Sequence, residues 1–303
     1  MLAIIAPGQG SQTPGMFNSW ITNPELHELL SKWSMRIDLD LLRLGTTADA
    51  DEIKDTANAQ PLIVAASLLG AHALGIKNFA YTSGHSVGEL AAAALSGAIS
   101  DEDALRLVRA RGIEMAKAAA QSPAGMSAVL GGDRDLVLTR LAELKLVAAN
   151  DNGGGQIVAA GDLTALGALA ENPPEGSRVR ALAVAGAFHT DYMSPAVEPL
   201  SAMAATITAS PTKISVISNK DGEVVTDGTA VLDRIVNQIA NPVRWDLCMQ
   251  ALKNLGVTGV IELPPAGTLV GLLKRGAPEI ECFALKTADD LAAAKEFAGR
   301  HIK

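Results

Sequence analysis

Residues 81–100, YTSGHSVGELAAAALSGAIS, constrain the fold more than any other stretch of the chain. Residues 84–88 have the pattern G-x-S-x-G, which is typical of a sharp turn between a strand and a helix. Such a turn lifts the hydroxyl of Ser86 above the end of a sheet, and its glycines let neighbouring chain approach closely. The alanines after Glu89 predict a helix packed tightly against that sheet. The alternative is a flexible turn with a helix cap, because patterns this short also occur by chance.

Short apolar segments alternate with helical segments, which favours a parallel sheet. LAIIAP at the start predicts a buried strand, and PLIVAASLLGAHALG predicts a helix with Pro61 at its first position. Residues 101–120 keep a helical period and begin with acidic residues, as helix N-termini do. Aromatic residues make up only 3% of the chain, so the core must be built from Ala, Leu, Val and Ile.

Residues 123–186 change to shorter, strand-rich units. Their order, β-α-β-β-α-β, is that of a ferredoxin-like unit. We therefore predict an α/β-hydrolase-like large domain with a parallel sheet core, formed by residues 1–122 and 187–303. The ferredoxin-like small domain, residues 123–186, is inserted into it.

Composition and charge exclude several classes of protein. A net charge of −8 argues against a general nucleic-acid binder, because phosphate binding needs a positive field. The start, MLAIIAPGQG, has neither the basic region of a signal peptide nor the length of a membrane span. The two cysteines, Cys248 and Cys282, have no metal-type spacing, which agrees with a reducing compartment. We expect a cytoplasmic monomer that binds no nucleic acid, no membrane, no metal and no redox cofactor.

A serine nucleophile needs a base, and the chain offers five histidines. His27, His72 and His301 lie in segments that predict surface or packing roles. His85 adjoins Ser86 on the turn, where neighbouring side chains diverge. His189, in VAGAFHTDYM, remains as the candidate; considered without Ser86 it would be read as a loop histidine with local hydrogen bonds.

Arg111 is centred on the apolar stripe of the helix predicted at 101–120. A guanidinium that points inward must find an anion. One candidate is Glu114, three residues along the same helix, and the other is a substrate carboxylate, which the planar fork of arginine binds with two hydrogen bonds.

The segment APGQGSQTPG near the N-terminus does not fit a nucleotide-binding motif, because it lacks the third glycine of G-x-G-x-x-G and a following Gly-Lys-Ser/Thr. A loop after the first strand can instead supply an oxyanion N–H beside the serine turn. We expect Gln9 to supply it, together with Val87 at the start of the helix.

Together these segments resemble the malonyl-coenzyme A:acyl carrier protein transacylases, most closely the stand-alone actinobacterial type of fatty acid synthesis. The resemblance covers nearly the whole chain. Its motifs are PGQGSQ, AQP at 59–61, GHSVGE at 84–89, RG with Met115, GQIVAAG, GAFHT, SNKDG, NPVRW and TLVGLLKR.

The resemblance implies Ser86 as nucleophile and His189 as base. It implies Arg111 as the ligand of the malonyl carboxylate. The oxyanion hole is then formed by the N–H groups of Gln9 and Val87. Residues that line the pocket are Gln60, Met115 and Phe188, the last of which resembles the malonyl-selective pattern.

The resemblance also implies that a backbone carbonyl among Asn241 to Trp245 orients the histidine. The partners would be malonyl-coenzyme A and acyl carrier protein. Because the enzyme and the carrier are both acidic, docking needs a local basic patch. The candidates are Lys274 with Arg275, in a position that resembles the family's docking helix, and Arg178 with Arg180.

Three alternatives share these features. A serine esterase or thioesterase would use the same turn without needing the arginine. A related acyltransferase would load a polyketide or malonate decarboxylase carrier. A non-catalytic module would bind the carrier without the Ser86 and His189 chemistry.

Overall fold

The short apolar strands of the sequence assemble into two sheets in the computed structural model, which describes residues 1–302. Within these residues the strands are β1 (Leu2–Ala6), β2 (Tyr81–Gly84), β3 (Ala124–Gly131), β4 (Val147–Asp151), β5 (Gln156–Asp162), β6 (Ser177–Ala181), β7 (Ser215–Ile217), β8 (Val224–Val225), β9 (Val243–Arg244), β10 (Gly259–Glu262) and β11 (Glu281–Ala284). The α-helices are α1 (Pro24–Ile37), α2 (Leu41–Thr46), α3 (Ala50–Lys54), α4 (Thr56–Leu74), α5 (Gly88–Ser96), α6 (Asp101–Ala119), α7 (Arg134–Glu143), α8 (Leu163–Glu171), α9 (Ser194–Ala204), α10 (Gly228–Gln238), α11 (Trp245–Asn254), α12 (Thr268–Gly276) and α13 (Leu291–His301).

The larger sheet has the strand order β11-β10-β1-β2-β7-β8 and is parallel except for β8. Alternate residues of β1 face opposite sides, as the two-residue period of a strand requires. Ile4 packs into a core with helices α1, α4, α5 and α6, whereas Ile5 packs into a second core with α11 and α12. The sheet is thus covered on both faces, as parallel sheets are.

The smaller sheet has the order β6-β3-β5-β4-β9. Its first four strands pair antiparallel in the ferredoxin-like order, and helices α7 and α8 contribute Leu141 and Leu166 to a separate core. The predicted fold class is confirmed, an α/β-hydrolase-like large domain with an inserted ferredoxin-like small domain. Strand β9 comes from later in the chain and pairs parallel with β4, where Asn150 is opposite Val243. The boundaries at 123 and 186 stay a prediction.

The prediction that the helix after AQP begins at Pro61 is wrong. Helix α4 begins at Thr56, where the Asp55 side chain accepts a hydrogen bond from the Ala57 N–H at 2.8 Å. Pro61 lies inside the helix and has no N–H to offer the carbonyl of Ala57. The Arg109 guanidinium replaces it and donates to that carbonyl at 2.9 Å. A tertiary contact therefore supports the start of the helix before Pro61, which the local sequence does not indicate.

Helix α4 lies at the centre of the larger core. Within residues 1–302 it is the one helix long and apolar enough to cross a membrane, and 72% of its apolar window is buried inside the fold. Core helices of globular proteins have this character, because they are apolar on all sides.

Candidate active site

Ser86 lies on a strained turn between β2 and α5. Its φ angle is +52°, a backbone conformation that residues other than glycine rarely adopt. A Cβ at Gly84 would overlap the backbone of Gly88, and a Cβ at Gly88 would overlap the carbonyl of Ala6. Only glycine fits at both positions, so the turn can be this sharp and close to β1. The alanine helix predicted behind it is α5, whose Ala91, Ala92 and Ala93 are fully buried.

His189 meets the nucleophile. Its Nε2 lies 2.7 Å from Ser86 Oγ, and its Nδ1 lies 2.8 Å from the backbone oxygen of Gln238. A carbonyl only accepts hydrogen bonds, so Nδ1 carries the proton and Nε2 is free to accept one from the serine. The carbonyl at 2.8 Å is that of Gln238, three residues before the predicted segment Asn241 to Trp245, so the prediction is wrong for this hydrogen bond; within the segment, the carbonyl of Asn241 also interacts with the imidazole. The end of α10 lies next to the imidazole. This contact depends on tertiary packing and could not be predicted from the sequence.

The environment keeps His189 neutral. Burial and, to a smaller extent, the positive charge of Arg111 lower the pKa of its imidazole to about 3, and the carbonyls of Gln238 and Asn241 act against them. The φ angle of His189 is +63°, and its N–H donates to the carbonyl of Ile239 at 3.0 Å. Backbone strain at both Ser86 and His189 is typical of functional positions.

Arg111 is directed into the same site from α6 and is 1% exposed. One terminal nitrogen donates to Gln60 Oε1 at 2.6 Å, and the other donates to Gln238 Oε1 at 2.9 Å and to Ser86 Oγ at 3.4 Å. Burial lowers its pKa to about 10, which leaves the guanidinium charged at neutral pH. The sequence alternative of a pair with Glu114 is wrong, because Glu114 accepts from Lys117 at 2.7 Å. Among residues 1–302 no carboxylate forms an ion pair with Arg111.

Gln9 and Val87, the predicted oxyanion donors, lie on two segments next to Ser86. Gln9 lines the cavity in front of Ser86, and its side chain donates to Thr56 Oγ1 at 3.3 Å. Val87 precedes the first turn of α5, which has no side-chain cap. Within the described residues neither backbone N–H donates to another protein group. Free N–H groups at a helix start favour a developing negative charge.

A cavity of about 220 Å³ opens in front of Ser86 between the two sheets. Gln60, Met115 and Phe188 line it, as predicted, and all three are buried. Residues that sequence reasoning did not single out complete the wall. They are Met126, Asn150, Asn152, Gln156, Val158, Leu182 and Val184 from the inserted region and its end, and Thr268, Leu269 and Leu272 from α12.

The four candidate docking residues are exposed and lie on two elements. Lys274 and Arg275 lie in the last turn of α12. Arg275 donates at 3.2 Å to Oε1 of Gln156, a residue of the cavity wall. Arg178 and Arg180 lie on β6, an edge strand of the smaller sheet. Within residues 1–302 none of the four forms an ion pair.

Three buried polar residues of the site were missed by sequence reasoning. Glu89 is 3% exposed, and burial raises the pKa of its carboxyl to about 7. Asn219 accepts from the N–H of Ser86 at 2.8 Å and donates to the carbonyl of Gly84 at 2.7 Å. Gln238 contacts the serine, the histidine and the arginine. Glu89 and Asn219 stand in motifs of the family, GHSVGE and SNKDG, whereas nothing in its local sequence marks Gln238.

The described residues contain no group of three or more histidine, cysteine, aspartate or glutamate side chains placed to hold a metal ion. The site therefore combines the Ser86 hydroxyl, which His189 can activate as a nucleophile, with the fixed positive charge of Arg111.

Comparison with known proteins gives a consistent result. Residues 4–298 match the family model of the acyl transferase domain. The chain is 52% identical over 296 residues to the malonyl CoA-acyl carrier protein transacylase of Mycobacterium tuberculosis, covering 96% of this chain and 98% of that protein. The crystal structure of that organism's MCAT is 51% identical and superposes with a TM-score of 0.95 over 97% of this chain and 99% of the other. A malonyl-transacylase solved in complex with a type II PKS acyl-carrier protein is 28% identical, with a TM-score of 0.92 over 97% and 99% of the two chains.

Proposed function

The chain belongs to the malonyl CoA-acyl carrier protein transacylases of the acyl transferase domain family, and on that premise we propose how its site moves a malonyl group. The enzyme transfers malonyl from malonyl-CoA to acyl carrier protein in fatty acid synthesis. The proposal assigns roles to residues: Ser86 is the nucleophile, His189 the base and Arg111 the carboxylate ligand. The contact that carries it is the meeting of all three at one atom, the Oγ of Ser86.

In the first half-reaction His189 Nε2 takes the proton of the Ser86 hydroxyl while Oγ attacks the thioester carbonyl carbon. The carbonyl oxygen becomes an oxyanion, which the N–H groups of Gln9 and Val87 stabilise. When the tetrahedral intermediate collapses, the C–S bond breaks and the coenzyme A sulfur takes the proton from His189. The product is malonyl-Ser86.

The second half-reaction reverses the roles. The phosphopantetheine thiol of the carrier gives its proton to His189 and attacks the malonyl-serine carbonyl carbon. The same N–H groups stabilise the second oxyanion, and Ser86 leaves with the proton from the imidazole. A neutral histidine is needed at the start of both halves, and the lowered pKa of His189 provides it.

Arg111 selects the acyl group. A malonyl group carries its carboxylate two carbon–carbon bonds beyond the reacting carbonyl, so a cation that binds it must lie close to Ser86 Oγ. The 3.4 Å between Oγ and the guanidinium meets that requirement. Because the guanidinium is held by the neutral amides of Gln60 and Gln238, no protein carboxylate competes with the substrate.

Acyl carrier protein docks, in this proposal, at the mouth of the cavity. Lys274 and Arg275 provide the local positive charge that an acidic enzyme needs to receive an acidic carrier. The contact of Arg275 with Gln156 links this surface to the cavity wall. Arg178 and Arg180, which are exposed on β6, are the second candidate for this positive charge. We propose that the enzyme is a cytoplasmic monomer that binds no nucleic acid. Light scattering of the purified protein measures its oligomeric state.

The alternatives differ in what they do with the nucleophile. An esterase or thioesterase would pass the acyl group to water, and a non-catalytic module would form no adduct. The test is mass spectrometry of the protein after mixing with malonyl-CoA, with and without carrier. A malonyl adduct that carrier removes is expected.

Substitution then locates the adduct. Ser86→Ala should abolish it, and His189→Ala should slow its formation by about 10³-fold or more. A stable adduct on another residue of the Ser86→Ala protein would refute the assignment, whereas loss of the adduct to water as fast as to carrier would favour the esterase.

A further inference from the structure

Glu89 is a buried carboxylate that the mechanism above does not use. It lies in the first turn of α5, directly beneath the serine turn. Its Oε1 accepts from the backbone N–H of Asn219 at 2.6 Å, and its Oε2 accepts from the side-chain amide of Gln238 at 2.6 Å. Both oxygens of Glu89 therefore accept from fixed donors, which is the arrangement that the ionised form prefers.

Gln238 connects this carboxylate to Arg111. The NH₂ end of its amide donates to Glu89, and the oxygen end accepts from Arg111 at 2.9 Å. A negative charge and a positive charge thus lie at the two ends of one amide dipole. Arg111 has a counter-charge nearby, but its guanidinium stays free of any direct pair with Glu89.

The Gln238 amide can connect Glu89 to Arg111 in only one of its two orientations. Its NH₂ end faces the Glu89 carboxylate, the Ser86 carbonyl at 3.1 Å and the Asn219 Oδ1 at 3.3 Å, all of which are acceptors. A flipped amide would place its oxygen against those acceptors and its NH₂ against the donating nitrogens of Arg111. Of the three acceptors Glu89 has the shortest contact and the only charge, so it contributes most to the preferred orientation.

We propose that Glu89 is a positioning residue that fixes the Gln238 amide so that Arg111 is held in place for the carboxylate of the acyl group. Through that chain of contacts it sets the preference for malonyl over acyl groups without a carboxylate. The inference rests on the proposed role of Arg111.

The protonation state of the Glu89 carboxyl should then affect the preference for malonyl over acetyl. Its pKa is raised to about 7, chiefly by burial and against the attraction of Arg111 and Arg234. Of the other groups near it, Cys248 has a pKa raised by burial and stays neutral, and His189 acts on every thioester alike. A protonated Glu89 must donate a hydrogen bond, and the only change that offers it an acceptor from Gln238 is the amide flip.

The test compares kcat/KM for malonyl-CoA and acetyl-CoA in wild type and in Glu89→Gln. The variant keeps size and shape, and its new amide can still accept from the Asn219 N–H, so the serine turn remains supported. Its NH₂ then faces the NH₂ of Gln238 and forces the flip. We expect the malonyl-to-acetyl ratio to fall about tenfold while acetyl transfer changes little.

Glu262→Gln is the matched control. Glu262 is also fully buried and accepts from backbone N–H groups, those of Gly267, Leu269 and Val270, but it does not contact Gln238 or Arg111. Its substitution should leave the ratio unchanged. A structural role of Glu89 would instead slow both substrates equally in Glu89→Gln, and that result would overturn the proposal.

A measurement on the wild type keeps the proposal testable if Glu89→Gln folds poorly. In wild type the ratio should rise severalfold from pH 6 to pH 8, as the carboxyl ionises through a pKa of about 7; a flat ratio overturns the proposal. Arg111→Ala separates the two levels of inference. If it lowers the ratio and Glu89→Gln does not, only the role of Glu89 fails, whereas an unchanged ratio in Arg111→Ala overturns both assignments.

Discussion

Replacement of Arg111 by alanine should remove the preference of the enzyme for malonyl while leaving the serine chemistry in place. The guanidinium is 1% exposed, and within residues 1–302 its partners are the neutral groups Gln60, Gln238 and the Ser86 hydroxyl. A malonyl carboxylate would be its first negatively charged partner. Deletion of the side chain therefore removes a charged contact from malonyl transfer and none from acetyl transfer.

The magnitude follows from the burial of that contact. A hydrogen bond to a charged group contributes about 1.5–3 kcal/mol, and a planar guanidinium can offer two to a carboxylate. Water that enters the vacated space would recover part of the loss. We expect a loss of about 2–4 kcal/mol, which is about 30- to 900-fold in the ratio of kcat/KM for the two thioesters.

The assay is the rate of acyl-serine formation from malonyl-CoA and from acetyl-CoA, measured on the same preparation. The ratio matters because Gln60 and Gln238 also lose a partner in the variant, and that loss affects both substrates. Arg106→Ala is the control: Arg106 lies on the same helix, pairs with Asp103 and is partly exposed. It should leave the ratio as in wild type. A ratio in Arg111→Ala within about twofold of wild type would refute the reasoning and leave the arginine a structural residue.

Three other outcomes are expected. Replacing Lys274 and Arg275 by glutamate should raise the KM for acyl carrier protein, and the increase should be smaller at high salt. The formation of malonyl-serine from malonyl-CoA should stay unchanged. Equal slowing of both half-reactions would contradict a docking role. Gly88→Ala should lower the free energy of unfolding by about 1–3 kcal/mol in denaturant titration, because its Cβ would overlap the end of β1, and an unchanged stability would show that the turn can relax. Because Arg111 helps lower the pKa of His189 to about 3, Arg111→Ala should raise it, so the loss of acetyl transfer on acidification begins at higher pH than in wild type. Identical pH profiles would argue against that electrostatic coupling.

The sequence by itself predicted much of this protein where the signal is local. The G-x-S-x-G turn, the alanine helix and the β-α-β-β-α-β order each depend on residues close together in the chain, and the structure has all three. His189 was reached by elimination, because the chain has only five histidines. Arg111 is recognisable in the sequence because it is a charged residue on the apolar face of an amphipathic helix.

The tertiary structure decided what depends on distant contacts. Gln238 lies 152 residues from Ser86 and 127 from Arg111, yet it hydrogen bonds with both, and its carbonyl orients His189. Its own helix gives no sign of this, because a glutamine on an amphipathic helix is ordinary. Likewise, a helix passes through Pro61 because a guanidinium from α6 reaches the unpaired carbonyl. Such partners cannot be found from residue period or propensity, since the burial of a polar group and the identity of its partner arise only when separate segments pack together.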